Sequence, residues 1–180
     1  MNSKGFTLIE LLASMVILAI LMALTIPNIM GILSQNKNAN YLEDAKKLVS
    51  TAKYRYSSSE FTKTKLTNGR CYQMTIKYLN NGEFDEAPNG GSYFNQYSYV
   101  LIQKKDAKHT VYYVSLAEKI KGKEQYYYIP LTKYESLTAD DGGVVEESNT
   151  APASSNISTL CPSGVEVKNT SSYSGIHGGD

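Results

Sequence analysis

Residues 4–33, KGFTLIELLASMVILAILMALTIPNIMGIL, are the constraint that any fold of this chain must meet, because no side chain between Leu11 and Gln35 carries a formal charge. About 20 apolar residues at 1.5 Å rise cover the roughly 30 Å hydrocarbon core of a bilayer, so the run can span one as a helix. A secretory signal has a shorter apolar stretch, about 7 to 15 residues, closed by a small-residue cleavage site. This run is too long for that. Lys4 and the amino terminus are the positive charges before it, which keeps the leader in the cytoplasm and sends everything after residue 34 outward. The exception inside the run is Glu10. A carboxylate in the middle of a spanning helix costs about 2.5 to 3.5 kcal/mol and calls for a partner. The alternative is a side chain that snorkels to the cytoplasmic interface of a simple anchor.

The whole chain, 180 residues, suits one compact domain with an appendage. Its formal net charge of +1, with Lys and Glu interspersed, supplies no field towards nucleic acid, so no specific nucleic-acid partner is expected. Cys71 and Cys161 both fall in the exported part, where thiols oxidise, and are a candidate disulfide. Two buried, reduced cysteines are the other reading.

The leader MNSKG followed by FTLIE resembles the processing site of type IV pilins and related pseudopilins. The resemblance is close over roughly the first 30 residues and extends further only in architecture. It implies cleavage after Gly5 by a membrane-bound prepilin peptidase and methylation of Phe6 as the new terminus. It also implies a role for Phe6 and Glu10 in assembly, since the new amine lies four residues from Glu10 and the carboxylate could meet the amine of a neighbouring subunit instead. Such a pair would fix the axial register between copies. Pro27 falls where many family members carry a helix-bending proline. It removes one backbone hydrogen bond, and with Gly31 makes this the expected kink, either a plain bend or a melted segment used in fibre extension.

Residues 36–60, NKNANYLEDAKKLVSTAKYRYSSSE, continue without a breaker, and Tyr41, Ala45, Leu48, Ala52 and Tyr56 recur at helical spacing. This predicts an amphipathic continuation of the same helix, about 80 Å in all, with the stripe packed on a sheet. The Asn-Gly pairs at 68–69 and 81–82 and the PNGG loop at 88–91 mark residues 61–93 as a connecting loop. Within it, MTIKYLNNGEF is ambiguous between a short helix and a strand. Three runs, YSYVLIQK at 97–104, TVYYVSLA at 110–117 and QYYYIPL at 125–131, predict an antiparallel meander, with Pro130 late in an edge strand. Alternation puts Tyr97, Tyr99 and Leu101 on one face and Ser98, Val100 and Ile102 on the other. From Ser136 on, the chain turns to Thr, Ser, Asn, Gly and acidic residues, which suggests an irregular region with one returning strand.

The fold class is then α+β, type IV pilin-like: a long N-terminal helix, half protruding and half amphipathic, on a three- to four-stranded antiparallel sheet with an irregular C-terminal region. The expected segments are a leader 1–5, a membrane or fibre-core helix 6–33, its amphipathic half 34–60 and a head 61–180. The head divides into the loop 61–93, the meander 94–135 and the C-terminal region 136–180.

Enzyme chemistry finds no support. His109 and His177 stand in no metal-ligand spacing with the cysteines, and no phosphate loop or nucleophile elbow occurs. No cofactor is expected. Asp140, Asp141, Glu146 and Glu147 offer the hard oxygens that calcium needs, but lack the alternating order of an EF-hand, which favours a solvated acidic turn. Fifteen tyrosines and no tryptophan suggest either an adhesive aromatic surface or simple strand filling.

The resemblance implies a pilin, major or minor, that waits in the cytoplasmic membrane and is then drawn into an extracellular fibre for adhesion, motility or biofilm formation. Its partners would be copies of itself in a helical homo-oligomer, other pilins, prepilin peptidase, and the assembly platform with its ATPase. A pseudopilin of a secretion or DNA-uptake system is the first alternative, and a monomeric membrane-anchored binding domain the second.

Overall fold

The computed structural model describes residues 7–58, 67–106, 108–137, 144–155 and 157–168, with the side chains of 24–34 outside the description. The chain divides into two compact units, Met1–Lys37 and Asn38–Asp180. The described backbone of the first unit belongs to α1 (Leu8–Ser57), which continues into the second. Helical geometry runs through Pro27 and Gly31. Proline's fixed φ of about −65° is itself helical, so the helix can continue there with one N–H donor fewer.

In the second unit the last turns of α1 bury the stripe Tyr41, Leu42, Ala45, Leu48, Val49 and Ala52, with Tyr56 partly covered. The sheet consists of β1 (Cys71–Thr75), β2 (Ser92–Tyr93), β3 (Tyr99–Lys104), β4 (Thr110–Lys119), β5 (Tyr126–Lys133), β6 (Glu146–Ser148) and β7 (Val165–Lys168). Its order is β6-β5-β4-β3-β1-β7, with β2 paired to β4 beyond the end of β3. The side chains that meet the helix stripe are Tyr72, Met74, Val100, Ile102, Val114, Leu116 and Ile129. They alternate along their strands, as a two-faced sheet requires.

The meander β3-β4-β5 is antiparallel throughout. Among the described residues the sheet nevertheless has seven strands, not three or four, and β1 pairs with β7 in parallel, which makes it mixed. Two of the added strands, β1 and β2, come from the stretch read as connecting loop. The other two, β6 and β7, come from the region read as irregular. β1 is buried on both faces, so it lacks the alternation that announces a half-exposed strand. The ambiguous MTIKYL is divided: Met74 and Thr75 close β1, and Ile76–Leu79 form the short helix α2 with Thr75 as its N-cap.

β6 pairs with β5 only along Tyr126–Tyr128, so Pro130 lies beyond that pairing. It also sits at a bulge. Leu116 faces Ile129 and Val114 faces Thr132, so Pro130 and Leu131 together oppose Ser115. A bulge leaves one residue out of the ladder, which is where a strand interior tolerates a residue without an N–H.

Polar groups fix the sheet to the helix. The Tyr41 hydroxyl donates to the Tyr127 carbonyl at 2.9 Å, and the Tyr93 hydroxyl donates to Asp44 at 2.6 Å. Burial, and next to it the Asp44 carboxylate, holds the Tyr93 hydroxyl pKa well above its ordinary value. Glu118 of β4 is fully buried. It accepts from the Asn89 side chain at 3.0 Å and the Gly91 N–H at 2.8 Å. A Cβ at Gly91 would stand 2.1 Å from the Lys119 carbonyl oxygen, so the loop can approach this close only with glycine there.

The opposite face of the sheet carries a smaller buried cluster of Cys71, Tyr99, Leu101 and Cys161, with Ile157, Leu160 and Val165 against it. Cys71 and Cys161 are disulfide-bonded, their Cα atoms 5.7 Å apart across 90 residues of sequence. In the chain-entropy model closing so long a loop stabilises by about 4 to 5 kcal/mol.

Two substitutions report on the two faces through the urea midpoint of the full chain in detergent micelles. Leu48→Ala should destabilise by about 2 to 5 kcal/mol, as a fully buried leucine in the principal core does. Cys71→Ser should cost about 2 to 5 kcal/mol and leave Cys161 open to alkylation, which the unmodified chain resists.

Candidate functional site

The described part of the first unit from Leu8 to Ala23 contains two polar residues, Glu10 and Ser14. Every described side chain on this part of α1 is exposed, with Leu8 at 81% and Ile9 at 77%. A helix stretch apolar on nearly all sides, with every described side chain exposed, has the surface of a membrane segment or of an element buried in an assembly. Among the described residues no helix is long and apolar enough to cross a membrane. The apolar run 24–33, whose side chains are not described, continues the sequence of this stretch.

Glu10 has a local task that the charge-pair reading did not foresee. The Thr7 carbonyl accepts the N–H of Leu11 at 3.2 Å, the first intrahelical bond, which makes Thr7 the N-cap of α1. The Thr7 N–H donates to Glu10 Oε2 at 3.0 Å, and the Thr7 hydroxyl donates to the same oxygen at 2.8 Å. Glu10 N–H lies 3.4 Å from the Thr7 hydroxyl in return. Thr7 to Glu10 is therefore a capping box, in which two residues three apart satisfy each other's orphan donors. The signal was present in the sequence as T-x-x-E ahead of an apolar run. The carboxylate also sits at the positive end of the helix dipole. Ser14, one turn on, donates to the Glu10 carbonyl and so exposes no unsatisfied hydroxyl.

One oxygen, Oε2, takes both Thr7 donors. Among the described residues, Oε1 accepts from nothing and no cation neutralises the charge. The cap thus settles the hydrogen bonds of the helix end and leaves the carboxylate's charge available to a further donor. Gly5 and Phe6, the predicted cleavage and methylation positions, lie outside the described residues. Pro27 and Gly31 lie within helical backbone.

The remaining candidates are scattered through the second unit. Glu146 and Glu147 pair with Tyr128 and Tyr127 in β6, so successive carboxylates point to opposite faces of the sheet and cannot chelate together. Asp140 and Asp141 lie outside the described residues, among which no three metal-ligating side chains converge. His109 stands in the turn between β3 and β4, its ring nitrogen 2.6 Å from Asp106. That ring, together with the N–H groups of Lys108 and His109, pulls the exposed Asp106 carboxyl down to about 2. The arrangement closes a turn. His177 lies outside the described residues.

The family model of the prokaryotic N-terminal methylation motif matches residues 1–26. No curated protein and no solved structure matches the chain. The match supports a prepilin motif of the type that pilins and pseudopilins share, and with it a structural subunit processed by prepilin peptidase.

Thr7→Ala removes the N-cap and half of the box, at about 0.5 to 2 kcal/mol, so amide exchange at Leu8–Leu11 should quicken by roughly 2- to 30-fold. Thr7→Ser should restore protection, and the urea midpoint of the second unit should not move.

Proposed function

We propose that the chain is a type IV pilin, held in the cytoplasmic membrane by residues 6–33 until it loses residues 1–5 and enters an extracellular fibre. The observation that carries this reading is the methylation motif over residues 1–26, with Glu10 in the first turn of an apolar helix whose described side chains up to Ala23 are all exposed. On this reading the surface first covered by lipid is later covered by the same surface of other copies. The methylated Phe6 amine of a neighbour reaches Glu10 and neutralises the charge that the Thr7 cap leaves open. The other implied partners are further pilins, prepilin peptidase, and the assembly platform with its ATPase.

A pilin-like fold also accounts for the α+β plan, with an N-terminal helix whose second half packs on a largely antiparallel sheet. The extent of the C-terminal region favours a surface pilus, serving adhesion, motility or biofilm formation, over the short piston of a pseudopilin. Imaging labelled protein separates those two outcomes: long surface fibres support the pilus, and label confined to the envelope supports the pseudopilus.

The decisive pair of variants is Glu10→Gln and Glu10→Ala in the native cell. Glutamine keeps the capping box and removes the charge. If charge pairing drives assembly, both variants should drop out of fibres while still being processed to methylated Phe6, as mass spectrometry of the N-terminus would read. Fibres of normal subunit content with Glu10→Gln would reduce the role of Glu10 to helix capping. An intact leader on the wild-type chain would point to a monomeric anchored domain.

A further inference from the structure

The sheet face opposite α1 is only partly covered. Beside the disulfide cluster, between the strands and the segment Pro152–Ser155, lies a cavity of about 180 Å³. Gln73 of β1, Tyr99 of β3 and Ser115 of β4 contribute to its lining from three neighbouring strands, and Gln96, Tyr97 and Tyr128 border it. On the strand side the Ser115 hydroxyl donates to the Tyr97 carbonyl at 2.9 Å. Cys161, bonded to Cys71, lies six residues beyond the Pro152–Ser155 wall.

The chemistry of this lining is selective. Among the described residues it contains no charged side chain, only amides, hydroxyls, aromatic rings, prolines and small apolar groups. An ionic ligand would find no counter-charge, and burying an unpaired ion is expensive. A plain hydrocarbon would strand the amide and hydroxyl groups, which need hydrogen-bond partners once covered. The volume lies below the roughly 300–1,000 Å³ of pockets for drug-sized ligands, so the site suits a single small ring. What matches is a ring with apolar C–H faces to set against tyrosine, whose face carries negative charge density, and a rim of hydroxyls to bond with planar amides.

We propose that this cavity binds one neutral monosaccharide unit of a glycan, with Tyr97 and Tyr128 as the stacking surfaces and Gln73 and Gln96 as the hydroxyl readers. Ser115 and Tyr99 hold the base of the site. The disulfide is its structural prerequisite, because it fixes the wall that makes an open sheet face into a concavity. A saccharide seated here would touch none of the side chains that face α1.

The test is saturation-transfer NMR on the full chain in a non-glycosidic detergent. The probes are the methyl glycosides of glucose, galactose, mannose and N-acetylglucosamine, with a sialoside and a Ser/Pro-rich peptide as competitors. The proposal expects transfer to the ring protons of at least one neutral glycoside, with Kd on the order of 1 mM. Gln73→Met should weaken that binding by about tenfold or more, and so should the surface variant Gln96→Ala. Both should leave the urea midpoint in place, and reduction of the disulfide should abolish the signal. No transfer to any of the four glycosides overturns the proposal. Binding that both variants leave unchanged overturns it too, as does preferential binding of the sialoside or the peptide.

Discussion

The second unit is organised by one contact, the stripe of Tyr41, Ala45, Leu48 and Ala52 against the inner face of the sheet. All four side chains are fully buried, and so are the sheet residues Met74, Val100, Ile102, Val114 and Leu116 that meet them. The two alanines leave the space that the large sheet side chains occupy, so the two surfaces interlock as a close-packed interior requires. Apolar burial alone would allow the helix to slide along its axis. The Tyr41 and Tyr93 hydroxyls prevent this by fixing α1 to β5 and β2 at defined points. Each buried hydroxyl is directional, and a shifted register would leave it without a partner.

Glu118 extends the same logic to a loop. A fully buried carboxylate is costly unless hydrogen bonds replace its water, and here Asn89 and Gly91 supply them from the PNGG loop. The loop has little apolar surface of its own to bury, so its position is set by the charge it covers. The close approach of Gly91 to Lys119 follows from that demand. Removing either donor would leave the carboxylate partly unpaired in the interior, which is more disruptive than the loss of one surface contact.

What the sequence made legible tracks the physics of each element. The helix stripe was readable because one face is buried and the other is not, so Leu48 announces itself by period. The meander strands were readable as runs of Tyr, Val and Ile; β3 is covered on both faces like β1 but is richer in such residues than CYQMT. β1 was hidden because both of its faces are covered, and β7 because four residues carry too little pattern. The place of Pro130 depended on a bulge opposite Ser115, which is a property of two strands together and invisible in either alone. Glu118 offered no local signal at all. Its surroundings come from Asn89 and Gly91, nearly thirty residues away. At the candidate site the opposite holds. The Thr7–Glu10 box is local and fully present in four letters, TLIE.

That local box sharpens what the carboxylate is for. An N-cap needs an oxygen acceptor at the third helical position, and a glutamine amide would satisfy Thr7 almost as well as glutamate. Capping therefore explains a polar residue at position 10 but not a charged one. The helix dipole favours an anion there, by about 0.3 to 1 kcal/mol at an exposed terminus. In an apolar setting the charge itself costs about 2.5 to 3.5 kcal/mol near mid-bilayer and less towards the interface. Glutamate is then the better choice only if a cation meets Oε1 at some stage. On the reading proposed above, that cation is the processed terminus of another copy. The capping bond holds the side chain in position before the partner arrives, so less side-chain freedom remains to be lost when the pair forms.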